Sequence, residues 1–304
     1  MLDCITKIVF GCARKVKIVS EHQLTQSELA EMSDVLTHPD HTRGLEEGEL
    51  VVTALEVLNS TFIRIRGRLE GFRNPDAWRR PNTTLRMEVP VGNDVIGGIA
   101  TSSRVYTIAE VFGDYDVAID AVAHGTTSPM MRWLASANPG DRIVVKGPRP
   151  HQLLNPASVN YMLADASALP AVRNILLHQH EVKEKPTVVI AAPQADAEAY
   201  VADCADRATI IHLGETGDLA AACAELGVAA SATVWAAGER DLMRAIRRYC
   251  KEDLGLERSA LRIFGYWKEG TSHTLLDVAR MRAAKRRVES GLGLDGADDF
   301  DLEI

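Results

Sequence analysis

The sequence predicts an antiparallel six-stranded β-barrel followed by an α/β domain with a doubly wound parallel sheet. Between residues 51 and 150, six short β-rich runs are separated by turn signals, which is typical of a small antiparallel barrel. From residue 157 onwards, compact apolar strands alternate with helical stretches, a pattern that favours parallel strands with crossover helices. The length of 304 residues also fits two domains, each with its own core.

Four segments are expected along the chain. Residues 1–48 form an N-terminal extension that is partly helical, since a capping-box pattern from Thr25 to Glu28 precedes helical periodicity. The barrel is expected over residues 49–150 and the α/β domain over residues 157–270. Residues 271–304 are expected to form a C-terminal helix and an acidic tail.

The barrel strands are predicted from apolar and β-branched runs. These runs are VVTALEVL, TFIRIRGRL, TLRMEV, RVYTIAEV, DVAIDAVA and RIVVKG, and turn signals such as PVGNDVIGG and NPGD separate them. In the second run, Arg64, Arg66 and Arg68 share one face because strand side chains alternate with period two. Such a face is either exposed to solvent or available to an anionic substrate.

The α/β domain is predicted from five strands, SVNYMLA, TVVIAA, ATIIHL, TVWAAG and LRIFGY, with helical stretches between them. No strand is followed by G-x-G-x-x-G, so the usual dinucleotide fingerprint is absent. In TVWAAGERDLM, Gly238 and Glu239 stand between a strand and a helix. This turn either holds part of a nucleotide, or Glu239 simply stabilises the N-terminus of the helix.

Charge and cysteine usage exclude several classes of function. The net charge of −8 argues against a nucleic-acid or anionic-membrane partner. The longest apolar run is too short to span a membrane, and residues 1–20 lack the order of a secretory signal, so we predict a cytoplasmic protein. The five cysteines contain no C-x-x-C pair, which excludes the usual zinc and iron–sulfur spacings, and no metal site is predicted.

One barrel strand, RVYTIAE, combines side chains that suit a flavin. A flavin that carries phosphate needs a cation for its charge, an aromatic ring against its own ring and a donor near its reactive nitrogen. Arg104, Tyr106 and Thr107 supply these three types on one strand. The alternative is that the strand contains tyrosine and threonine only because β-strands favour them.

The stretch HGTTSPMMRWLA predicts the start of a helix. Ser128 is expected at the N-cap and Pro129 at the first helical position. A helix N-terminus presents free N–H groups and a partial positive charge, so the residues from Ser128 to Met130 are a candidate pyrophosphate site. The alternative is an ordinary capped helix after a strand.

Together and in this order, these segments resemble the siderophore-interacting protein family, a flavin-dependent branch of the ferredoxin-reductase-like enzymes. The barrel motifs of that family have counterparts here in RVYTIA, AVAHG, SPMMRWLASANPGD and RIVVKGP. Those of its second domain have counterparts in ADASALPA, WAAGERDLMRAIRR and GYWKEG. The chain departs from the family pattern at Ala109, which replaces an arginine, at Ser128, which replaces a glycine, and at Ala166 and Ser167, which replace glutamate and threonine.

The resemblance implies a flavin-dependent reduction of ferric siderophores that releases Fe(II) in the cytoplasm. It implies FAD as cofactor, NADH, NADPH or another electron donor, and an anionic ferric siderophore as substrate. No side chain is expected to act as acid, base or nucleophile. The residues implied are Arg104, Tyr106, Thr107, His124, Gly125, Ser128, Met130, Asp165, Ser167 and Trp267 for FAD; Gly238 and Glu239 for the nicotinamide; and Lys268, Arg64 and Arg66 for the substrate.

Several alternatives stay open at this point. In GYWKEG, either Tyr266 or Trp267 covers the flavin ring and Lys268 faces the substrate, or the two aromatic residues close the core of the last strand. The whole chain could also be a general NAD(P)H–flavin oxidoreductase. A third possibility is a flavin-free scaffold with a binding or regulatory role, which the departures at Ala109 and Ala166 favour.

Overall fold

The computed structural model describes residues 45–91 and 101–270, together with seven separate residues between positions 279 and 290. The expected helix in the N-terminal extension and the acidic tail lie outside the described residues. Of the residues described between 279 and 289, all six are helical, within the segment expected to form the C-terminal helix. No helix in the described part of the chain is long and apolar enough to cross a membrane.

The first half of the described chain is a closed antiparallel barrel. Its strands are β1 (Glu46–Val57), β2 (Phe62–Glu70), β3 (Thr83–Pro90), β4 (Thr101–Val111), β5 (Asp116–Val122) and β6 (Arg142–Pro150). They follow one another around the barrel in the order β1-β2-β5-β4-β3-β6. Closure pairs every strand on both sides, so the barrel has no free edge. Two short helices, α1 (Pro75–Trp78) and α2 (Pro129–Ser136), pack buried side chains onto the barrel core.

The second half is a five-stranded sheet in which every paired strand is parallel. Its strands are β7 (Asn160–Asp165), β8 (Thr187–Ala191), β9 (Thr209–His212), β10 (Thr233–Glu239) and β11 (Leu261–Trp267), in the order β11-β10-β7-β8-β9. Its helices are α3 (Leu169–His178), α4 (Gln194–Val201), α5 (Leu219–Glu225) and α6 (Arg240–Glu252). Two separate apolar cores lie in this half, since α3 and α4 cover one face of the sheet while α5 and α6 cover the other. The predicted fold class is therefore confirmed.

The strand order places a crevice at one edge of this sheet. The chain adds β8 and β9 on one side of β7 and then returns to add β10 and β11 on the other side. In open α/β sheets of this kind, ligands bind outside the carboxyl ends of the strands where the order reverses. Asp165, Glu239 and Trp267 are the last residues of β7, β10 and β11, so the three strands deliver polar and aromatic side chains to that edge.

Helix α3 fastens the sheet to the barrel. The buried side chain of Asn174 accepts a hydrogen bond from the Asn82 N–H at 2.7 Å and donates one to the Ile108 carbonyl at 3.0 Å. Ile108 belongs to β4, the strand that carries the predicted flavin motif. A β-bulge follows at Ala109, because Ile108 and Glu110 pair with adjacent residues of β5. The bulge and helix α3 together keep Ala109 buried.

Candidate functional site

On the barrel side, β4 presents the arginine and tyrosine that the sequence singled out. Arg104 is largely buried, and its Nη1 donates to the Ser103 carbonyl at 3.0 Å. Tyr106 is half-buried; burial raises the pKa of its phenol to about 12, although the positive charge of Arg104 acts in the opposite direction. Thr107 is buried as well. The cation, the phenol and the hydroxyl are thus all withdrawn from bulk water.

A turn after β5 brings His124 towards the same arginine. Burial lowers the pKa of His124, and the charge of Arg104 lowers it further, so the imidazole is neutral near pH 7. Gly125 has a φ of +52°, and a Cβ at this position would have no heavy atom of the described residues within 4 Å. The turn therefore faces open space.

Helix α2 begins where the sequence predicted. Ser128 is the N-cap, and its Oγ accepts a hydrogen bond from the Met131 N–H at 3.3 Å. The Met130 side chain is buried in the barrel core, so only the main-chain N–H of Met130 remains for a ligand. This geometry is that of a capped helix, and it is also compatible with an anion at the helix start.

On the sheet side, the carboxylate of Asp165 joins the ends of three strands. Its Oδ1 accepts hydrogen bonds from the N–H and the hydroxyl of Ser167, at 2.8 Å and 2.5 Å. Its Oδ2 accepts from the Glu239 N–H at 2.9 Å and from the indole N–H of Trp267 at 2.7 Å. Burial raises the pKa of Asp165, and these four hydrogen bonds oppose the shift.

The turn at Gly238 and Glu239 is shaped by the same carboxylate. Gly238 has a φ of +155°, and a Cβ there would stand 2.6 Å from Asp165 Oδ2. The side chain of Glu239 caps α6, since its Oε2 accepts the Leu242 N–H at 2.8 Å. The Glu239 carboxylate therefore stabilises the N-terminus of α6, as the alternative interpretation of the turn proposed. A nucleotide at this turn could still contact main-chain groups at the edge of the sheet.

The barrel and the sheet meet where Thr107 approaches Tyr266. The Tyr266 hydroxyl is buried and makes no hydrogen bond of normal geometry within the part of the chain that the structure describes. Burial raises the pKa of Tyr266, as does the negative charge of Asp165, whereas the nearby Thr107 hydroxyl lowers it. Trp267, the next residue, is 37% exposed. The last strand therefore places one aromatic ring at the junction and the other at its rim.

His151 also lies at this junction, and sequence reasoning missed it. Its ring centroid is 4.2 Å from that of Phe264 and 6.2 Å from that of Tyr266. Burial lowers the pKa of His151 to about 4, with a further contribution from the charge of Arg149. Its Nδ1 has no hydrogen-bond partner among the described residues. The available signal was its position just after the last barrel strand, where the chain crosses to the sheet.

The three residues predicted to contact substrate lie in different settings. Lys268 is half-buried, and its Nζ is 3.6 Å from Asp241 Oδ1 at the start of α6. Arg66 pairs with Glu56, and its guanidinium lies 4.5 Å from the centre of the Phe112 ring. The solvent-face alternative describes Arg66, which is partly exposed.

Arg64 is buried although it stands on the same strand face as Arg66. Its Nε and Nη2 bind the two carboxylate oxygens of Asp120 at 2.7 Å and 2.8 Å, and its Nη1 binds Glu110 at 2.9 Å. The Tyr200 hydroxyl of α4 donates to the same carboxylate at 2.5 Å. All three donor nitrogens of Arg64 are engaged in this network, so we do not count it among the candidate substrate contacts.

Comparisons with known proteins identify the family of the chain. A family model described as "Siderophore-interacting protein" matches residues 157–270. The chain is also 30% identical over 292 residues to the ferric acinetobactin reductase of Acinetobacter baumannii, and the alignment covers 92% of this chain and 99% of that protein. This chain belongs to the siderophore-interacting protein family. The resemblance seen in its motifs is confirmed.

Two further relatives of this siderophore-interacting protein agree with that membership. Its structure is similar to that of the siderophore-interacting protein from Acinetobacter baumannii, with a TM-score of 0.74, 29% identity and coverage of 81% of this chain and 100% of that one. It is 26% identical over 184 residues to the ferric vibriobactin reductase ViuB of Vibrio cholerae, across 55% of this chain and 65% of that protein. The two relatives found by sequence are thus named as a ferric acinetobactin reductase and a ferric vibriobactin reductase.

Proposed function

We propose that this protein is an FAD-dependent oxidoreductase that reduces ferric siderophores and so releases Fe(II). The observation that carries the proposal is that the flavin-type strand β4 packs against α3, the helix that follows the end of β7, with Asn174 donating to the Ile108 carbonyl. This packing brings Thr107 of β4 near Tyr266 of β11. The similarity to a ferric acinetobactin reductase along nearly the whole chain supports the choice of substrate. We place the reaction in the cytoplasm, where an acidic chain without paired cysteine motifs fits best.

The residues at the junction fit a flavin. The buried Tyr266 hydroxyl has Thr107 nearby but makes no hydrogen bond of normal geometry within the described residues, although buried polar atoms are normally paired. The turn at Gly125 has free space around its Cα among the same residues. Arg104 and the N–H groups at the start of α2 would hold the pyrophosphate, with His124 beside the arginine. A flavin supplies the conversion of a two-electron donor into single-electron steps, which reduction of Fe(III) requires.

The ring of the flavin would lie between the barrel and the last strand. Tyr106 offers an aromatic face on β4, and Thr107 offers a hydroxyl at the junction. Trp267 would bound the ring from the sheet side, where Asp165 and Ser167 form the adjoining floor. The protein's task in this arrangement is to bind and orient the ring and to exclude water from it.

The flavin-free alternative is less well supported by the geometry. The position of the missing arginine, Ala109, is buried in the β-bulge of β4 beneath α3. Ser128, which replaces a glycine, caps α2 and leaves the start of the helix intact. Next to Ala166, the hydroxyl and N–H of Ser167 remain bound to Asp165. Each departure from the family pattern thus changes a single contact, and the strand end, turn and helix start that we propose for flavin binding keep their geometry.

We propose NADH or NADPH as electron donor, bound at the carboxyl edge of the sheet beside Gly238. That edge is the usual nucleotide position in open α/β sheets, and the carboxylate of Glu239 is already committed to α6. The substrate is an anion that binds Fe(III) through hard oxygen atoms, which suit Fe(III) better than Fe(II), so reduction releases the metal. Lys268 is the candidate cation for this anion, in competition with Asp241.

The test is a spectrum and an assay on the purified full-length protein. We expect flavin absorbance in the visible range, FAD as the extracted cofactor, bleaching by NADH or NADPH under nitrogen, and Fe(II) captured by a chelating dye when a ferric catecholate complex is added. Reduction of free flavin without any Fe(II) would support the general NAD(P)H–flavin oxidoreductase instead. A colourless protein that does not bind added FAD would contradict the proposal.

A further inference from the structure

Asp165 is a buried carboxylate whose partners come from three separate strands. It ends β7, and it receives donors from Ser167 just beyond β7, from Glu239 at the end of β10 and from Trp267 at the end of β11. The family resemblance placed it among the residues implied for FAD binding. In the structure both of its oxygens are already occupied by donors of the protein itself, two on each oxygen.

Of these four hydrogen bonds, the one from the Trp267 indole to Asp165 holds a side chain that borders the proposed flavin site. Trp267 is 37% exposed, whereas the other tryptophans of the chain are buried or partly buried, so packing alone restrains its ring least. A hydrogen bond from a neutral donor to a carboxylate is stronger than one between neutral groups, and its strength grows where water is excluded. The Asp165 Oδ2–Trp267 Nε1 distance of 2.7 Å is short for such a bond.

The chain also makes room for this carboxylate. A side chain at Gly238 would stand 2.6 Å from Asp165 Oδ2, the oxygen that accepts from both the indole and the Glu239 N–H. The absence of a Cβ at this position therefore lets the carboxylate reach two neighbouring strands at once. The requirement for glycine at 238 follows from Asp165, independently of any nucleotide.

We propose that Asp165 is a positioning residue that holds the indole ring of Trp267 as the wall of the flavin site on the sheet side. The proposal rests on the proposed function for the identity of the ligand, and on the four hydrogen bonds for the mechanism. Asp165 acts on the flavin through Trp267, and it fixes the adjoining turn at Glu239 by the same oxygen.

The first measurement uses the flavin-free protein. Acrylamide quenching of Trp267 is obtained as the difference between each protein and the same protein with Trp267→Phe. Asp165→Ala should increase the quenching of Trp267, whereas Ser167→Ala, which removes a donor from the opposite oxygen, should leave it unchanged. Unchanged quenching in Asp165→Ala overturns the proposal, whether or not the protein binds a flavin.

The second measurement is FAD affinity in a double-mutant cycle. Loss of one hydrogen bond to a charged group should weaken FAD binding about tenfold in Asp165→Ala and equally in Trp267→Phe, which keeps a ring but has no N–H. The double variant should be no weaker than either single one, because both changes break the same link. Additive effects would show that Asp165 acts independently of Trp267 and would overturn the proposal.

Two further arms keep the test decisive. Asp165→Asn should restore part of the FAD affinity and of the low quenching, because its oxygen can still accept from the indole and its amide nitrogen can donate to the Ser167 hydroxyl, although the Ser167 N–H loses its acceptor. If Asp165→Ala does not fold, wild-type FAD affinity in Trp267→Phe is sufficient to overturn the proposal. A wild-type protein that binds no FAD would refute the proposed function, while the quenching measurement would still decide the role of Asp165.

Discussion

Arg104 influences two neighbouring titratable groups from its buried position on β4. Its charge lowers the pKa of His124 and opposes the burial that raises the pKa of Tyr106. A charged guanidinium also donates strong hydrogen bonds to phosphate oxygens, so the pyrophosphate of FAD is the ligand that we propose for Arg104. Arg104 thus sets the charge around His124 and Tyr106 at the place where we propose that FAD binds.

Replacing Arg104 by alanine should weaken FAD binding about 10- to 100-fold, as expected for the loss of a charge-assisted hydrogen bond. Fluorescence titration of the flavin-free protein measures this affinity. The pKa of His124 should also rise in the variant, because the positive charge that lowers it is gone, and NMR can follow its ring protons. Arg68→Ala, which removes an exposed barrel arginine paired with Asp116, is the matched control. FAD affinity equal to wild type in Arg104→Ala would refute the assignment.

His151 makes the stability of the protein depend on pH. Its pKa in the folded state is about 4, whereas the unfolded chain binds a proton near pH 6.5, so only the unfolded state gains the proton between these values. The contribution of His151 to the free energy of unfolding is therefore fully present above pH 6.5 and is lost as the pH falls towards 4. Linkage over the interval from pH 7 to pH 5 corresponds to about 2 kcal/mol.

Replacement of His151 by phenylalanine should remove most of this loss. The new ring can pack on Phe264, as the imidazole does, and it has no Nδ1 to leave unpaired. Urea unfolding at pH 7 and at pH 5 measures the difference in free energy of unfolding for each protein. His180→Gln, at an exposed histidine, should retain the wild-type difference. An equal loss in His151→Phe and wild type would show that other groups cause it.

At the scale of elements, the ends of β10 and β11 combine structural and functional roles. Glu239 ends β10 and caps α6, and its Oε1 accepts the Glu269 N–H at 3.2 Å from the turn after β11. The same turn carries Lys268, which reaches Asp241 in the first turn of α6. Helix α6 and the turn after β11 are therefore connected at the edge where the substrate is proposed to approach.

Lys268→Ala should weaken saturation by a ferric catecholate complex while FAD content and reduction by NAD(P)H stay intact. A partly exposed charge at the rim of a site acts mainly on the encounter with the substrate and on its orientation. Asp241→Asn removes the competing carboxylate and should have the opposite effect. Both effects should shrink as salt shortens the Debye length below about 8 Å. Steady-state kinetics at low and high salt provide the measurement. If both variants match wild type at low salt, the anion does not bind beside Lys268.

At the scale of the whole molecule, an ion-pair network on barrel strands holds helices of the sheet region. Asp120 of β5 receives Arg64 from β2 and the Tyr200 hydroxyl from α4, while Glu110 of β4 pairs with both Arg64 and Arg173 of α3. The ring of Tyr200 also stacks on Phe62, with centroids 4.2 Å apart. The flavin site that we propose lies between the barrel and the sheet, so its geometry would depend on how firmly these two parts are joined.

Removing the guanidinium of Arg64 should destabilise the protein by about 3–5 kcal/mol, because Asp120 would remain buried without its cation. The matched change at Arg66, on the same strand face but partly exposed and paired with Glu56, should destabilise it by no more than about 1 kcal/mol. Arg64→Met and Arg66→Met, followed by guanidinium unfolding, make the comparison. Equal stability of the two variants would show that the buried pairing of Arg64 with Asp120 does not stabilise the fold.

The sequence by itself determined the fold class, the family and the position of most candidate residues. Runs of β-rich residues and the alternation of strands with helices indicate a barrel followed by a parallel sheet. Motifs such as RVYTIA and GYWKEG indicate the family. Both kinds of signal are local, since each depends on residues within one strand or one turn. Both can therefore be read from the sequence without knowing which elements pack against these residues.

Only the tertiary structure decided what those residues do. Arg64 and Arg66 are equivalent in the strand pattern. In the fold, however, Arg64 is buried and pairs with Asp120, 56 residues away, whereas Arg66 is partly exposed and pairs with Glu56. Asp165 became a link rather than a simple ligand candidate because Trp267, 102 residues later, ends a neighbouring strand at the same edge. Periodicity states on which side a side chain points, but its burial, its pKa and its partners depend on the element that the fold places opposite.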